Sequence, residues 1–177
     1  MNLNKKSRFL TKLLRHDPQD LSIDKLGYAK VKDILYKLDL TKDELIEIVD
    51  TNNKKRFEFN SDKTLIRATQ GHSIDVNVDM QLVKLNDIKR LYHGTSLSIY
   101  INAIKKEGLK SMNRLHVHLS DDVDTATNVG SRKGKDIVLI QIDAHQMLLD
   151  NIEIYKSSNN VYLTKYVDPK YFECFYK

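Results

Sequence analysis

The 177-residue chain has one cysteine, no tryptophan, two prolines and six glycines. A single cysteine excludes a disulfide within the chain. Nothing near Cys174 carries the spacing of a cysteine-based zinc site, so Cys174 reads as a small apolar residue. Long apolar runs are missing too: no stretch approaches the roughly 20 apolar residues of a membrane span. The first residues, MNLNKKSRFLTKLL, lack the apolar core and small-residue cleavage site of a signal peptide. A soluble, intracellular protein in the cytoplasm is expected. Internal repeats and low-complexity segments are likewise not visible.

What is present points elsewhere. A hydrophobic fraction of 41% is enough for real cores, and the length suits one medium domain or two small ones. The formal charge is +5 and the sequence pI about 9.1, which suits an anionic partner without proving one. The excess is spread: residues 1–85 carry 16 Lys/Arg against 13 Asp/Glu, so an anion site must come from local placement. Local placement is informative at the start. Lys5, Lys6, Arg8, Lys12, Arg15 and His16 precede the first acid, Asp17. Such a run is either a solvated helix face or the approach to an anion site.

Apolar spacing predicts a helix over residues 7–15, ended by Pro18, and a second from about Lys30 through Val31, Ile34, Leu35 and Leu38. Thr41 followed by Glu44 is a capping box that opens a third helix. Phe57 and Phe59, a turn at residues 60–63 and a return strand at 64–67 predict a hairpin; Ile74, Val76 and Val78 predict one more strand. Three helices and a hairpin outline a winged-helix domain over residues 1–80. Residues 79–90 lose periodicity and read as a linker. Beyond them, over residues 90–177, lies an α+β domain. Its expected strands are at 91–93, 116–119, 137–142, 152–155, 161–166 and 172–176, and its expected helices are 97–107 and 121–129, the latter capped by Ser120.

Several pieces carry chemistry. Arg15-His16-Asp17-Pro18 ends the first helix. Arginine offers a planar fork that matches two phosphate oxygens, and histidine, with an ordinary pKa of about 6.5, can donate to phosphate or act as an acid. The same pair could merely meet the last helix carbonyls. Arg67, followed by Ala68-Thr69-Gln70-Gly71-His72-Ser73, sits on or near a strand before a polar turn, where a surface arginine is the plain alternative. Val129-Gly130-Ser131-Arg132-Lys133-Gly134-Lys135 resembles a small anion-binding loop but not a Walker loop. Tyr92-His93-Gly94-Thr95 and His116-Val117-His118-Leu119-Ser120 are histidine-bearing strand ends. Zinc held by His93, His116 and His118 is a weaker reading, since no carboxylate or cysteine joins them. Gly71, Gly94, Gly130 and Gly134 sit beside these Arg and His residues, which favours a polar site over turns alone.

Taken in order, these motifs, with Asn160-Val161-Tyr162-Leu163-Thr164, resemble the RNA 2′-phosphotransferase family from about residue 7 to about residue 170. The resemblance implies a winged-helix lobe and an ADP-ribosyltransferase-like lobe. It implies that Arg15, His16, Arg67 and Arg132 are catalytic. NAD⁺, consumed as co-substrate, is expected on His93, Gly94, Thr95, His118, Ser120 and Val161, with no metal. The partner implied is RNA with an internal 2′-phosphate, tRNA by default, and the protein is expected to act as a monomer. The family usually reads Gly-Val-Trp-Leu-Thr where this chain has Asn160 to Thr164; Tyr162 keeps an aromatic surface, and Asn is a partial substitute for Gly at positive φ.

The reaction implied has two steps. The RNA 2′-phosphate attacks the anomeric carbon and expels nicotinamide; the neighbouring 2″-hydroxyl then attacks phosphorus and expels the RNA 2′-oxygen. Two other functions fit parts of the pattern. One is a winged-helix nucleic-acid-binding protein without catalysis, which leaves His93-Gly94-Thr95 unexplained. The other is an ADP-ribosyltransferase that caps phosphorylated nucleic-acid ends, which shares the first step.

Overall fold

Leu10, Leu13 and Leu14 fall on one side of a helix, and all three are fully buried in the first core. That helix, α1 (Leu3–Arg15), begins earlier than apolar spacing alone predicts. Asn2 caps it, its side chain accepting from the backbone N–H of Asn4 and Lys5. The computed structural model describes residues 2–134 and 136–176, without the side chains of Lys133 and residues 174–176. Lys135 of the basic loop and the side chain of Cys174 therefore lie outside the described residues.

The chain is α+β and divides into two units, residues 1–79 and 80–177. In the first, α1 is followed by β1 (Tyr28–Lys30), α2 (Val31–Leu38), α3 (Lys42–Asp50), β2 (Phe57–Phe59) and β3 (Leu65–Ala68). The capping box forms as expected: Glu44 N–H donates to Thr41 Oγ1 at 3.2 Å, and Thr41 N–H donates to Glu44 Oε2 at 2.9 Å. The three strands are antiparallel in the order β1-β3-β2, with Tyr28 and Glu58 directly opposite Arg67 on either side. Residues 74–78 do not form the expected strand. Their alternation is real, and Val78 is buried, but the Ile74 and Asn77 N–H groups donate to the carbonyls of Arg15 and Lys25 instead of to a ladder.

The second unit runs β4 (Gln81–Leu82), β5 (Arg90–Ser96), α4 (Leu97–Ile99), a π turn (Tyr100–Ile104), α5 (Lys105–Glu107), β6 (Leu109–Lys110), β7 (Val117–Leu119), α6 (Val123–Gly130), a 3₁₀ turn (Ser131–Lys133), β8 (Ile137–Asp143), α7 (Ala144–Leu149), β9 (Tyr155–Lys156), β10 (Tyr162–Thr164), β11 (Tyr166–Val167) and β12 (Phe172–Tyr176). The sheets are antiparallel and small: β12-β8-β5, β4-β9-β10-β7 and β11-β6. The apolar run in β8 is explained by its central place, with Val138, Ile140 and Ile142 fully buried. Residues 79–90, expected as a linker, include β4 and the buried Val83 and Ile88 of the second core. The helix at 97–107 forms but with a π turn in its middle. The helix expected from residue 121 starts at Val123 and is capped by Asp122, whose carboxylate accepts from Thr125 N–H, and not by Ser120. Among the described residues no helix is long and apolar enough to cross a membrane.

One contact fixes β5 against α6. A Cβ on Gly94 would stand 1.9 Å from the Ala126 carbonyl oxygen, and one on Gly130 would stand 2.9 Å from the Gly94 carbonyl carbon. Strand and helix therefore meet backbone to backbone, which only glycine allows. Gly94→Ala is expected to destabilise the fold by about 3 kcal/mol; a denaturant midpoint equal to that of the parent chain would contradict this contact.

Candidate active site

The segment Gly71-His72-Ser73 lies across the C-terminal end of α1. Ser73 N–H donates to the Arg15 carbonyl at 2.9 Å, and Ser73 Oγ lies 3.0 Å from His16 Nδ1. Gly71 adopts φ +85°, and an added Cβ would come within 3.2 Å of Arg15 Nη1, so the backbone turn itself is the wall against which the Arg15 guanidinium rests. When His16 is protonated both ring nitrogens are donors. Nδ1–H then donates to Ser73 Oγ, whose own proton can turn to the Arg15 carbonyl 3.5 Å away. Ser73 thereby orients the His16 ring.

Arg67 is gripped from both sides of β3. Its Nε donates to Glu58 Oε1 at 2.7 Å, and its Nη1 donates to the Leu26 carbonyl at 3.2 Å and to Asp79 Oδ2 at 3.4 Å. The guanidinium carbon lies 4.5 Å from the centroid of the Tyr28 ring. Antiparallel register puts Tyr28 and Glu58 on the same face as Arg67. Arg67 is only 6% exposed, so its direction is set by these partners.

His72 sits inside this group, 4% exposed, with no hydrogen-bond partner for Nε2 among the described residues. Burial, and then the nearby charges of Arg15, His16 and Arg67, push its pKa down to about 4. At neutral pH the cluster therefore holds two arginines and His16 around an uncharged imidazole, with Glu58 and Asp79 as the acids on Arg67.

A second group lies in the other unit, where β5 meets the end of β7. Tyr92 and Ser120 exchange two backbone hydrogen bonds, 2.7 and 3.0 Å. Beside them His93 Nδ1 is 3.2 Å from the His118 carbonyl. A carbonyl only accepts, so Nδ1 carries the proton and the neutral ring presents Nε2 as an acceptor. Burial holds the His93 pKa below its ordinary value, opposed by that hydrogen bond. Thr95 is buried, while His118, Ser120 and Val161 are half-buried. Before Val161, Asn160 takes φ +60°, so the asparagine does adopt the left-handed turn, and Tyr162 is buried with its hydroxyl donating to Asp121 Oδ2 at 3.3 Å. Among the described residues no three His, Cys, Asp or Glu side chains gather as a metal set.

The sequence matches the model of the "RNA 2'-phosphotransferase, Tpt1 / KptA family" over residues 2–166. A "Probable RNA 2'-phosphotransferase" of Fusobacterium nucleatum is 44% identical over 174 residues, covering 94% of this chain and 96% of the relative. Proteins of the same name from Flavobacterium johnsoniae and Hahella chejuensis are 44% and 43% identical, over 94% and 96% of the chain and 93% and 92% of the relatives. The chain belongs to the RNA 2′-phosphotransferase family. In this family member the four expected catalytic residues fall into two sets. Arg15, His16 and Arg67 are brought together around residues 71–73 of the first unit. Arg132 is an exposed residue of the 3₁₀ turn after α6, in the second unit.

Sequence reasoning did not single out Ser73, His72, Tyr28, Glu58 or Asp79. The Phe57-Glu58-Phe59 alternation placed Glu58 on the face opposite the two phenylalanines, but pairing it with Arg67 needs the register, and β1 was not expected at all.

Neutral His72 has a measurable consequence. Its folded pKa lies below the unfolded one, so the unfolded chain binds more protons between about pH 6.5 and 4, and stability is lost as pH falls through that window. The loss attributable to His72 between pH 7 and pH 5 is about 2 kcal/mol. Urea unfolding of the parent and of His72→Gln at both pH values should show a shallower pH slope in the variant. Equal slopes would place His72 outside the cationic cluster.

Proposed function

We propose that the chain is an NAD⁺-consuming RNA 2′-phosphotransferase. It takes a 2′-phosphate from RNA and passes it to ADP-ribose, giving 2′-hydroxyl RNA, ADP-ribose 1″,2″-cyclic phosphate and nicotinamide. The observation that supports this most is the joint placement of Arg15, His16 and Arg67 about one glycine-lined turn, within a chain of this family. Arginine forks match the geometry of a phosphate dianion, and a buried Arg67 already fixed by its partners avoids reorganisation when it binds.

Each residue has a part in this reading. Arg15 and Arg67 bind and orient the 2′-phosphate, with Arg67 held in place by Glu58 and Tyr28. His16 holds the phosphate or returns a proton to the RNA 2′-oxygen as it leaves; Ser73 keeps its ring turned for either task. Arg132 stabilises charge that builds on the phosphoryl oxygens in the second step. NAD⁺, as co-substrate, supplies an anomeric carbon with a leaving group. His93, Gly94, Thr95, His118, Ser120 and Val161 would hold it, and the neutral Nε2 acceptor of His93 suits a sugar hydroxyl better than a phosphate. An apolar Val161 fits a first step that needs no general base, since the phosphate dianion is already nucleophilic and positioning supplies much of the rate.

In the same reading the first unit is a winged-helix lobe, supported by its element order α1-β1-α2-α3-β2-β3, and the second an ADP-ribosyltransferase-like lobe. The RNA is one bearing an internal 2′-phosphate, tRNA after splicing being the default, and the enzyme acts as a monomer in the cytoplasm.

Incubation with NAD⁺ and a short RNA bearing one internal 2′-phosphate should give 2′-hydroxyl RNA only when NAD⁺ is present. Folded protein that yields neither this product nor an ADP-ribosylated RNA would overturn the proposal in favour of a non-catalytic RNA-binding module. Arg15→Ala and Arg132→Ala should each slow the second step by roughly 10²–10³-fold and let ADP-ribosylated RNA accumulate. Unreacted RNA with no intermediate in both variants would remove them from that step.

A further inference from the structure

We propose that the exposed face of α1 is a track for the RNA strand that flanks the reactive 2′-phosphate; the assignment rests on the phosphotransferase reading above. Lys5, Arg8 and Lys12 are all exposed, and their spacings of three and four residues put them on one face of the helix. His16, also exposed, follows four residues after Lys12, where the helix ends. At 1.5 Å of rise per residue the line from Lys5 to His16 is about 16 Å long.

This face is hard to explain by folding alone. The burying side of α1 is Leu10, Leu13 and Leu14; of the two remaining cations, Arg15 is buried in the candidate site and Lys6 is buried with its Nζ donating to the Asp39 carbonyl. Lys6 therefore serves the fold and the other three do not. Like charges at these helical spacings repel each other, and Lys5 near the N-terminus also opposes the helix dipole. The helix carries no acid of its own. Among the described residues Lys5 and Arg8 make no ion pair; Lys12 pairs with Asp17 at 3.0 Å, with both side chains about half exposed. Such an exposed pair is weak and can yield to another anion.

A ligand that offsets three cations in a row must carry regularly spaced negative charge, and it must reach His16 at its end. A single-stranded RNA does both, because every nucleotide brings a phosphate and the 2′-phosphate to be removed lies within the strand. Specific bases are not required, so the track should bind without regard to sequence and depend strongly on salt.

The test compares the parent chain with Lys5→Ala/Arg8→Ala/Lys12→Ala, alanine being the residue most compatible with a helix. Two substrates are used: a dinucleotide bearing one 2′-phosphate, and an RNA extended on both sides of it. For the extended RNA the variant should lose roughly 10–10²-fold in kcat/KM at low salt, and the salt dependence of binding should weaken by a log–log slope of about 2. Turnover of the dinucleotide should stay the same. Equal losses on the two substrates, or no loss on either, would overturn the track. If the parent turns over neither substrate yet binds the extended RNA with a salt slope that the variant lacks, the track stands and the proposed reaction falls.

Discussion

The hydrogen bond from Ser73 N–H to the Arg15 carbonyl joins the two segments on which the candidate phosphate site depends. It seats residues 71–73 on the last turn of α1, and three further placements follow from it. Gly71 is brought close enough to the Arg15 guanidinium that an added Cβ would stand 3.2 Å from Nη1. Ser73 Oγ is brought to His16 Nδ1. His72, between the two, is turned inward and buried. A carbonyl at a helix end needs an outside partner in any case. Here that need is met by a segment some 58 residues away in sequence, so closing the helix and assembling the site are one event.

The cluster shows how a fold can hold like charges together. Arg15 and Arg67 repel one another, and a further cation beside them would add to the cost. His72 avoids this by staying neutral, since burial and then its neighbours Arg15, His16 and Arg67 act against its protonation. Glu58 and Asp79 offset Arg67, from neighbouring strand and loop, while the Tyr28 ring covers its guanidinium. The result is cationic toward a ligand, with Arg67 held beforehand by its partners in the protein, which is the condition for prepared binding of a dianion.

How far the sequence revealed this depends on the range of each interaction. Helices α2 and α3 were legible because Val31, Ile34 and Leu38 recur at helical spacing and Thr41–Glu44 is a local cap. The Phe57/Phe59 hairpin was legible from alternation and its polar turn. The seat of residues 71–73 was not, because the alternation of Ile74, Val76 and Val78 looks like a strand, while the Ile74 and Asn77 N–H groups go to the carbonyls of Arg15 and Lys25 far along the chain. The linker expected at 79–90 failed for a related reason: two residues of strand and two buried aliphatic side chains carry no periodic signal. Of the candidate site, Arg15, His16 and Arg67 were named from motifs. Glu58 and Tyr28 could only be found once strand register was known, and Ser73 only once its backbone bond to Arg15 was.

The second unit solves the opposite electrostatic problem. His93 is kept uncharged by burial, and its proton is fixed on Nδ1 by the His118 carbonyl. That carbonyl belongs to β7, which is tied to β5 by the paired Tyr92–Ser120 bonds, so the tautomer is set by how two strands are joined. Gly94, next in sequence, lets α6 press onto β5 and so fixes where the 3₁₀ turn carrying Arg132 begins. A neutral acceptor and a cation are thus placed by the same strand, through two neighbouring residues with different jobs. A substitution at Gly94 should then disturb the position of Arg132 as well as the local packing, even though the two residues are far apart in sequence. The first unit fixes positive charge by surrounding it with acids and an aromatic ring; the second fixes a neutral donor–acceptor pattern by backbone geometry.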